Sequence, residues 1–529
     1  MSQFSSKRLC SQITIPFRLF IRHSMTLRTT ERKHETIYAL SSGHGKCGVA
    51  VVRISGVNAR DALNKMTTIS NIEPRKALLK KILDPETKEV IDKGLCLWFP
   101  GPKSFTGEDC VEFHVHGGSA ILASLMTALS KLHFYQALPG EFTRRAFYNN
   151  KLDLVEIEGL ADLIEAETEQ QRKQALLQAN GHLSKLYKDW RKKLINIISN
   201  LEAYIDFNEE DNIEDNVLEI CNSSIKSLIK EIEQHLSDNR KGEILRNGIK
   251  TVIIGKPNVG KSTILNYLVQ RNAAIVSPTA GTTRDIIELR INISGYPVIL
   301  ADTAGFTKSP KDPVESEGIL RAKAYAENVD LIILVMDACE YLQSGMTYSD
   351  YVKEYVNNMN LNEILTDEYR KRCIIIANKI DLLNEKDKEM IKKENVVATS
   401  FITEEGLLDI TKTMINYCKE LCHNTFNEDP VISQNRYRNH LSRCLKNLQN
   451  YIKIISIKNY DMVIAVEEIR TAMRELGMIT GHVYNDEILN NIFKNFCIAF
   501  IKQGFLSYLV APLLNYEVNL CCKLLECIR

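Results

Sequence analysis

The apolar positions divide the first half of the chain into two stretches with different periodicities. From Thr36 to Leu97, short apolar runs (TIYAL, GVAVVRI, GLCLWF) alternate with turns that contain Gly and Pro, which predicts β-strands. From Leu152 to about Phe207, apolar residues recur every three or four positions, which predicts long amphipathic helices. The positions that carry this helical spacing are Leu154, Ile157, Leu160, Ala161, Ile164, Leu176, Leu183, Leu186, Trp190 and Leu194.

A third pattern begins at Lys250 and continues to about Glu420. Apolar strands (TVIIG, VILAD, LIILVMD, CIIIANK) alternate there with helical stretches, which predicts a parallel α/β sheet. After Asn427 the helical periodicity returns and continues to Phe496. We therefore expect a multidomain α+β protein, with a β-rich N-terminal domain and an α-helical domain that is split by an inserted α/β domain.

Length, charge and cysteine content exclude only a few classes of fold and function. A chain of 529 residues is expected to form about three or four domains. The formal net charge of +1 gives no global attraction for nucleic acid, so any RNA contact requires a local basic surface. The fourteen cysteines include no C-x2-C pair, which excludes zinc-finger spacing and favours free thiols in a reducing compartment. No uninterrupted apolar run reaches 18 residues, so no membrane-spanning helix is predicted.

The N-terminal residues 1–34 have a composition of their own. Five basic residues precede the first acidic residue, Glu31, and they lie among Ser, Thr and apolar residues. This composition is typical of a mitochondrial transit peptide, and it predicts a mitochondrial matrix protein. A disordered basic tail is the alternative. The basic residues are Lys7, Arg8, Arg18, Arg22 and Arg28.

The segment GKPNVGKS at 255–262 predicts a phosphate-binding loop. It fits the pattern G-x-x-x-x-G-K-[ST], follows the strand TVII and precedes the helix-compatible TILNYLV. Gly255 and Gly260 allow the backbone N–H groups to surround phosphates at a helix N-terminus. Lys261 is expected to reach the β- and γ-phosphates, and the Ser262 hydroxyl to bind Mg2+.

Three further motifs follow in an order that predicts GTP as the nucleotide. In DTAG at 302–305, Asp302 can hold Mg2+ through water and Gly305 can sense the γ-phosphate. In GTTRD at 281–285, Thr283 supplies a second Mg2+ ligand. In NKID at 378–381, the Asp381 carboxylate can accept both N–H groups of the guanine edge, which adenine does not offer. The predicted GTP contacts are Asn258, Val259, Gly260, Lys261, Ser262, Thr263, Ser277, Thr279, Thr282, Thr283, Asp302, Thr303, Ala304, Gly305, Asn378, Lys379, Asp381 and Ser400.

The residue after DTAG changes the expected mechanism. Ras-type GTPases carry a water-orienting Gln shortly after this motif, but here Phe306 follows, and a phenyl ring cannot orient water. Glu315 is the best carboxylate candidate for that task. No Arg lies between Gly305 and Glu317, so an arginine finger in this loop is not expected. A monovalent cation held by Asn258 and switch-loop oxygens could supply the missing positive charge.

Taken together, these residues resemble the MnmE/TrmE family of tRNA-modification GTPases, specifically its mitochondrial members. The resemblance covers roughly residues 36–498 and includes the four GTPase motifs. It also rests on RISG (53–56), FTGEDCVEFHVHGG (105–118), LPGEFTRRAFYNNKLDLVE (138–156) and RELGMITGHVYNDEILNNIFKNFCI (474–498).

The resemblance implies a homodimer joined through folate-binding N-terminal domains. It implies an FAD-dependent partner of the MnmG/GidA type, tRNA as substrate, and a 5-aminomethyl-type group installed on wobble uridine 34. The carbon comes from 5,10-methylenetetrahydrofolate, for which 5-formyltetrahydrofolate is an analogue, and K+-dependent pairing of two G domains triggers GTP hydrolysis. The implied domains are 1–34 (transit peptide), 35–151 (folate-binding and dimerisation), 152–246 and 425–498 (helical), 247–424 (G domain) and 499–529 (atypical extension).

The resemblance also implies roles for individual residues. The K+ site falls on Asn258, Ser277, Thr279 and Thr282, Glu315 matches the catalytic glutamate, and Cys497 matches a functional cysteine near the folate site. Arg53, Glu112 and Lys151 match the folate-binding positions, with the carboxylate suited to a pterin edge and the cations to a glutamate tail. Without the family, each of these three is more often part of a surface or structural ion pair. His114 and His116 are interpreted as core or loop residues rather than metal ligands.

Several departures from the family pattern keep alternatives open. SSGHGKCG at 41–48 replaces the usual P-P-G-R-G-G, in the folate-binding domain. TSF at 399–401 places a bulky Phe401 in the loop that is expected to contact guanine. The polar segment 344–370 is interpreted as a surface insertion. After FCI at 496–498 the chain diverges from the family's F-C-I-G-K and continues to residue 529, as an alternative or misassigned final exon would. An isoform impaired in modification is therefore one alternative. A ribosome-assembly GTPase is another, although no KH-like GXXG module is evident.

Overall fold

The computed structural model describes residues 35–43, 45–69, 72–207, 216–271, 288–301, 329–358, 372–422, 430–483, 489 and 492–493. The chain divides into two compact units, one formed by residues 1–153 with 485–529 and the other by residues 154–484. The elements of the first unit are β1 (Ile37–Leu40), β2 (Cys47–Ser55), α1 (Ala59–Met66), β3 (Leu78–Leu83), β4 (Val90–Phe99), β5 (Cys110–Gly117), α2 (Ser119–Lys131), β6 (Tyr135–Gln136) and α3 (Glu141–Tyr148).

The first unit is built on a six-stranded mixed sheet in the order β3-β4-β5-β2-β1-β6. Every described pairing is antiparallel except β1 with β6. The strands alternate in exposure, so that Val52 and Ile54 are fully buried while Arg53 between them is half-buried. The predicted strands TIYAL, GVAVVRI and GLCLWF are confirmed as β1, β2 and β4.

The helices of the second unit pack into one bundle. The predicted helical stretch from Leu152 is confirmed, although Ile164 and Leu176 are 54% and 38% exposed and do not face the core. Residues from both sides of the α/β sheet in the sequence share a single core, which includes Trp190, Leu228 and Tyr437. The helices are α4 (Leu154–Glu165), α5 (Glu169–Ala179), α6 (His182–Phe207), α7 (Asn216–Leu236), α8 (Lys241–Asn247), and after the sheet α14 (Asn435–Ile455) and α15 (Met462–Thr480).

Between α8 and α14 lies the α/β sheet of the second unit. Its elements are β7 (Ile249–Ile254), α9 (Lys261–Arg271), β8 (Glu288–Ile293), β9 (Tyr296–Ala301), β10 (Leu331–Asp337), α10 (Ala338–Gln343), α11 (Tyr348–Asn358), β11 (Cys373–Asn378), a 3-10 turn (Ile380–Leu382), α12 (Glu385–Lys393), β12 (Val397–Thr399) and α13 (Leu407–Leu421).

The strand order of this sheet is β12-β11-β10-β7-β9-β8. All pairs are parallel except β8 with β9, so the expectation of a wholly parallel sheet is wrong at this edge. The physical reason is the connection: Ser294 and Gly295 form a two-residue turn with φ of 52° and 92°, and parallel strands need a much longer crossover. Strand β10 is buried along its full length, as its continuous apolar sequence requires.

The chain leaves the helical bundle and returns to it at neighbouring points. A Cβ atom at Gly242, in α8, would lie 2.5 Å from the carbonyl oxygen of Ile432, which precedes α14. Beside this contact, Arg438 forms ion pairs with Glu243 and Asp238, both at 2.6 Å. The two crossings between bundle and sheet are therefore tied to each other. Within the described part of the chain, no helix is both long and apolar enough to cross a membrane.

Candidate functional site

The loop between β7 and α9 depends on two glycines for its shape. A Cβ atom at Gly255 would lie 2.4 Å from the carbonyl oxygen of Val335, in β10, so the loop can pass this strand only without a side chain. Gly260 has a φ of 104°, and a Cβ atom there would lie 2.2 Å from Nδ2 of Asn378. The predicted glycine positions are thus those at which the fold has no room for a side chain.

Lys261, the first residue of α9, lies over this loop. Its Nζ donates hydrogen bonds to the carbonyl oxygens of Gly255 and Lys256, each at 2.7 Å. Burial lowers the pKa of this ammonium. The side chains of the next two residues, Ser262 and Thr263, are exposed at the helix N-terminus, where backbone N–H groups attract anions.

The NKID motif, at the end of β11, contacts the same loop. Asn378 is buried and donates through Nδ2 to the carbonyl oxygen of Val259 at 2.8 Å. Lys379 has a φ of 68° and pairs through Nζ with Asp337 at 2.7 Å, which raises the pKa of Lys379. The hydroxyl of Ser400, directly after β12, donates to Oδ1 of Asp381 at 2.6 Å. The structure therefore brings Asn378, Lys379, Asp381 and Ser400 to the edge where the phosphate loop lies.

Phe401, the bulky residue of the TSF segment, packs away from this edge. Its ring contacts that of Tyr267, in α9, edge to face with the centroids 5.8 Å apart, and it packs against the apolar core of the sheet. The Tyr267 hydroxyl in turn donates to the carbonyl oxygen of Leu407 at 3.0 Å. Phe401 thus joins α9 to the guanine loop, and Ser400 keeps its contact with Asp381.

Tyr355 supports the phosphate loop and was missed by sequence reasoning. The sequence predicts a surface insertion over 344–370, but residues 348–358 form α11, in which Tyr351 and Tyr355 are buried. The Tyr355 hydroxyl accepts from the backbone N–H of Lys256 and donates to the carbonyl of Val335, both at 2.8 Å. The interpretation is therefore wrong for α11. Tyr348, Tyr351 and Tyr355 are spaced so that they share one face of a helix. This spacing is the sequence signal that could have predicted a packed helix here.

A second group of predicted residues lies in the first unit. Arg53 and Glu112 are directly paired across β2 and β5, and Nε of Arg53 lies 2.9 Å from Oε1 of Glu112. The Arg53 guanidinium lies 4.8 Å from the ring centroid of Phe105 and 5.7 Å from that of Phe142. The outer face of the sheet thus carries a carboxylate, a guanidinium and two aromatic rings at one place.

His114 contacts this pair directly, whereas His116 contacts Asp92 and Lys151 lies beside Gly107. Lys151 is exposed, and its Cγ lies 3.3 Å from the position of a Cβ atom at Gly107, in the loop that carries Phe105. Nε2 of His114 lies 3.2 Å from Oε2 of Glu112. Nδ1 of His116 lies 2.9 Å from Asp92. In the part of the chain that the structure describes, no group of three His, Cys, Asp or Glu side chains is placed to hold a metal ion.

The remaining predicted site residues lie outside the described ranges. The same is true of the acidic segment 208–215 and of the tail after Phe493. Phe493 itself is fully buried in the first unit, where its ring lies 6.2 Å from that of Phe147 and 5.2 Å from the Arg144 guanidinium. The predicted site residues outside the described ranges are Ser277, Thr279, Thr282, Thr283, Asp302, Thr303, Ala304, Gly305, Glu315 and Cys497.

The glycine loop lies between a buried parallel strand and a helix, which is the arrangement of a P-loop protein. The Asn-Lys-x-Asp segment that packs against this loop is typical of a guanine-binding site. Comparison with known proteins then gives the family. The model of the MnmE helical domain matches residues 154–497, and that of the GTP-binding protein TrmE N-terminus matches residues 36–151. The chain belongs to the MnmE/TrmE family of tRNA modification GTPases.

Individual relatives match over most of their length. The mitochondrial 5-taurinomethyluridine-tRNA synthase subunit GTPB3 of Danio rerio is 43% identical, over 88% of this chain and 93% of its own. The tRNA modification GTPase MnmE of Rickettsia bellii is 45% identical, over 88% of this chain and 100% of its own. Among solved structures, the G domain of the T. maritima FeoB iron transporter matches 32% of this chain and 99% of its own, at 25% identity and a TM-score of 0.22.

Proposed function

We propose that this chain is the GTPase subunit of a mitochondrial tRNA-modifying complex. With an FAD-dependent partner of the MnmG/GidA type, it installs a carboxymethylaminomethyl or taurinomethyl group on wobble uridine 34. The observation that carries the proposal is family membership across both units, together with a phosphate loop to which Asn378 is bonded. The name of the Danio relative, a mitochondrial taurinomethyluridine synthase subunit, favours the taurinomethyl product and a mitochondrial location. Within mitochondria, the proposal places the chain in the matrix.

GTP binds in this proposal with its phosphates on the loop 255–260 and its base beside Asp381. Lys261 and the N–H groups at the start of α9 hold the phosphates, and Ser262 and Thr283 hold Mg2+. The Asp381 carboxylate accepts from the guanine edge and is oriented by Ser400. Glu315 orients the attacking water. A K+ ion, held by oxygens of Asn258, Ser277, Thr279 and Thr282, supplies positive charge in place of an arginine finger.

Folate binds at the outer face of the first sheet. The donor set there fits a pterin, because the Glu112 carboxylate can accept from its N–H groups while Phe105 and Phe142 offer aromatic faces. Arg53 and the exposed Lys151 provide cations for the glutamate tail. The family resemblance adds Cys497 as a functional cysteine of this folate site, and its position lies outside the described residues.

A second copy of the chain covers part of the first unit. Leu79 and Leu95, cross-strand neighbours in β3 and β4, are 57% and 39% exposed. They lie on the same face as Arg53 and Glu112, because Leu95 pairs with His114 and Leu97 with Glu112. An apolar pair beside a polar site suits a homodimer formed through residues 35–151. The other domains in this proposal are the helical parts 152–246 and 425–498, the inserted G domain 247–424, the transit peptide 1–34 and the extension 499–529.

The proposal is tested by mass analysis of mitochondrial tRNAs from cells that lack this gene. We expect the modified wobble uridine to be replaced by a precursor in a subset of tRNAs, and to return when the full chain is re-expressed. Re-expression of a chain that ends at Ile498 shows whether the extension impairs modification. Unchanged wobble uridines after loss of the gene would overturn the proposal.

A further inference from the structure

The turn between β8 and β9 reaches the first turn of α5. The carbonyl oxygen of Gly295 accepts a hydrogen bond from the backbone N–H of Gln170 at 3.1 Å. Gln170 is the second residue of α5, and N–H groups at this position have no partner within their own helix. The hairpin of the α/β sheet therefore provides a hydrogen-bond acceptor for an N–H group in the first turn of α5.

Two further polar contacts flank this bond. Arg290, in β8, lies with Nη1 3.4 Å from Oε2 of Glu167, just before α5. Gln171 donates through Nε2 to the carbonyl oxygen of Arg246 at 3.0 Å, at the end of the helix that leads into β7. The Arg246 Nε is in turn bonded to both oxygens of Asp162, in α4, at 2.8 and 2.9 Å. The N-terminal end of α5 is thus held by two contacts to the β8–β9 hairpin and by one to α8, the helix that leads into the sheet.

The space behind these contacts is not filled by side chains. A cavity of about 550 Å³ lies between α4, α5, α8 and β8, and its lining includes Gln174, Gln178 and Arg290. A close-packed interface would transmit force through many apolar contacts. At this rim the polar contacts contribute a larger share of the connection than they would in a close-packed interface, so the loss of one of them should be measurable.

At its other end, α5 is fixed to the bundle. The amide of buried Gln178 donates to the carbonyl of Val155 at 3.1 Å and to the Tyr437 hydroxyl at 3.2 Å, and accepts from Ser433 at 2.7 Å. Tyr437 in turn donates to Glu158, in α4. A displacement of α5 at the hairpin is therefore passed on to α4 and α14.

The hairpin also has a particular position in the sequence. Strand β8 begins three residues after the GTTRD motif, and Asp302 of DTAG directly follows β9. In GTPases, the segments that carry these two motifs change with the γ-phosphate. We propose that the β8–β9 hairpin transmits the nucleotide state to the helical bundle through the Gly295–Gln170 hydrogen bond. The inference rests on the GTPase function proposed above.

The test removes one N–H group. Gln170→Pro deletes the donor but breaks no intrahelical bond, because proline is tolerated in the first helical turn. Gln170→Ala keeps the N–H and removes the same side chain, so it is the matched control. Hydrogen exchange is measured on the full chain with GDP and with a non-hydrolysable GTP analogue.

In the wild type and in Gln170→Ala, we expect exchange in α4 and α5 to differ between the two nucleotides. In Gln170→Pro this difference is lost, while protection of the phosphate loop by nucleotide and the GTPase rate are kept. Uridines modified per GTP hydrolysed then fall about tenfold, within the usual range of allosteric coupling. The proposal would be overturned if hydrogen exchange in α5 of the wild type were the same with both nucleotides. It would also be overturned if the difference persisted in Gln170→Pro.

A separate variant covers the case in which proline unfolds α5, which circular dichroism would show. Glu167→Gln with Arg290→Gln removes the flanking ion pair without a backbone change, and the same loss of response, in smaller degree, is expected. The exchange readout needs neither tRNA nor the flavoprotein. A chain that responds to nucleotide but modifies no tRNA would therefore contradict the proposed tRNA function and leave the hairpin connection standing.

Discussion

Asn378 donates its side-chain amide to the backbone carbonyl of Val259 at 2.8 Å, and this bond joins the base-recognition segment to the phosphate loop. The amide is buried, and Thr399 donates to its Oδ1 at 3.4 Å. The two motifs are 119 residues apart in the sequence, so the bond fixes the relative position of two parts of one site. Asn378 is therefore expected to affect nucleotide binding by holding the phosphate loop in place.

Asn378→Ala is expected to weaken GTP binding about tenfold. The bond to Val259 is lost and a buried carbonyl is left without its partner, at a cost of about 1–2 kcal/mol. Titration with a fluorescent GTP analogue measures the change. Asn384→Ala is the control, because Asn384 accepts from the Asp387 N–H at the start of α12 and its loss costs stability only. Equal effects of the two variants on affinity would show that Asn378 has no special role.

Tyr355→Phe tests the support beneath the phosphate loop. The substitution keeps the ring but removes the hydroxyl that bridges Lys256 and Val335, and we expect a loss of about 1–2 kcal/mol in stability and weaker GTP binding. Thermal unfolding with and without GDP separates the two effects. Tyr348→Phe, in the same helix, removes a hydroxyl that bonds to the Asn395 carbonyl at 3.3 Å, away from the phosphate loop. That control variant should bind GTP normally.

The elements that could be predicted from the sequence are those whose signal is local. The apolar runs before GKPNVGKS and NKID predicted β7 and β11, and the helical spacing predicted α4 and α6. Local patterns could not show that β8 turns back on β9, that Phe401 packs on Tyr267, or that Tyr355 reaches the loop. Each of these depends on pairing between distant residues, for which the sequence carries no direct signal. The Arg53–Glu112 contact was reachable only through the family resemblance.

GTP hydrolysis is expected to be several times faster in K+ than in Na+ at equal ionic strength. The physical reason is that Phe306 follows DTAG and no Arg lies in the following loop, so we expect a bound cation to supply the positive charge. Glu315→Ala should abolish most turnover and leave GTP affinity nearly unchanged. Equal rates in the two salts would contradict the cation site, and loss of GTP binding in Glu315→Ala would make Glu315 structural.

Glu112→Gln is expected to abolish folate-dependent modification without a change in GTPase rate. The variant keeps the shape of the side chain but removes the charge that faces Arg53 and His114. Binding of 5-formyltetrahydrofolate by calorimetry gives the direct measurement. Glu73→Gln serves as the control, since the Glu73 side chain pairs with Lys76 at an exposed position. Normal folate binding by Glu112→Gln would show that the Glu112 carboxylate is not needed to bind folate.

The helical bundle should lose stability as the pH falls from about 6.5 to 4. Burial beside Trp190 and Tyr187 lowers the pKa of His235 to about 4, so the unfolded chain takes up a proton that the folded chain does not. The loss is at most about 3 kcal/mol and is complete below pH 4. Urea unfolding, followed by the Trp190 fluorescence of a Trp98→Phe background, measures it. His235→Gln should flatten the dependence, whereas His133→Gln, at an exposed position, should not.

The close approach of Gly242 to Ile432 has a consequence for how this family can vary. Both ends of the α/β part join the helical bundle at neighbouring points. The α/β part can therefore lengthen or shorten without disturbing the bundle, since the distance between its two ends stays the same. Residues can therefore be added to or lost from the α/β part at little cost to the bundle. The bundle can therefore keep its structure while the α/β part changes in length. Selection on the nucleotide-binding part and on the bundle can then proceed almost independently, except where the hairpin turn touches α5.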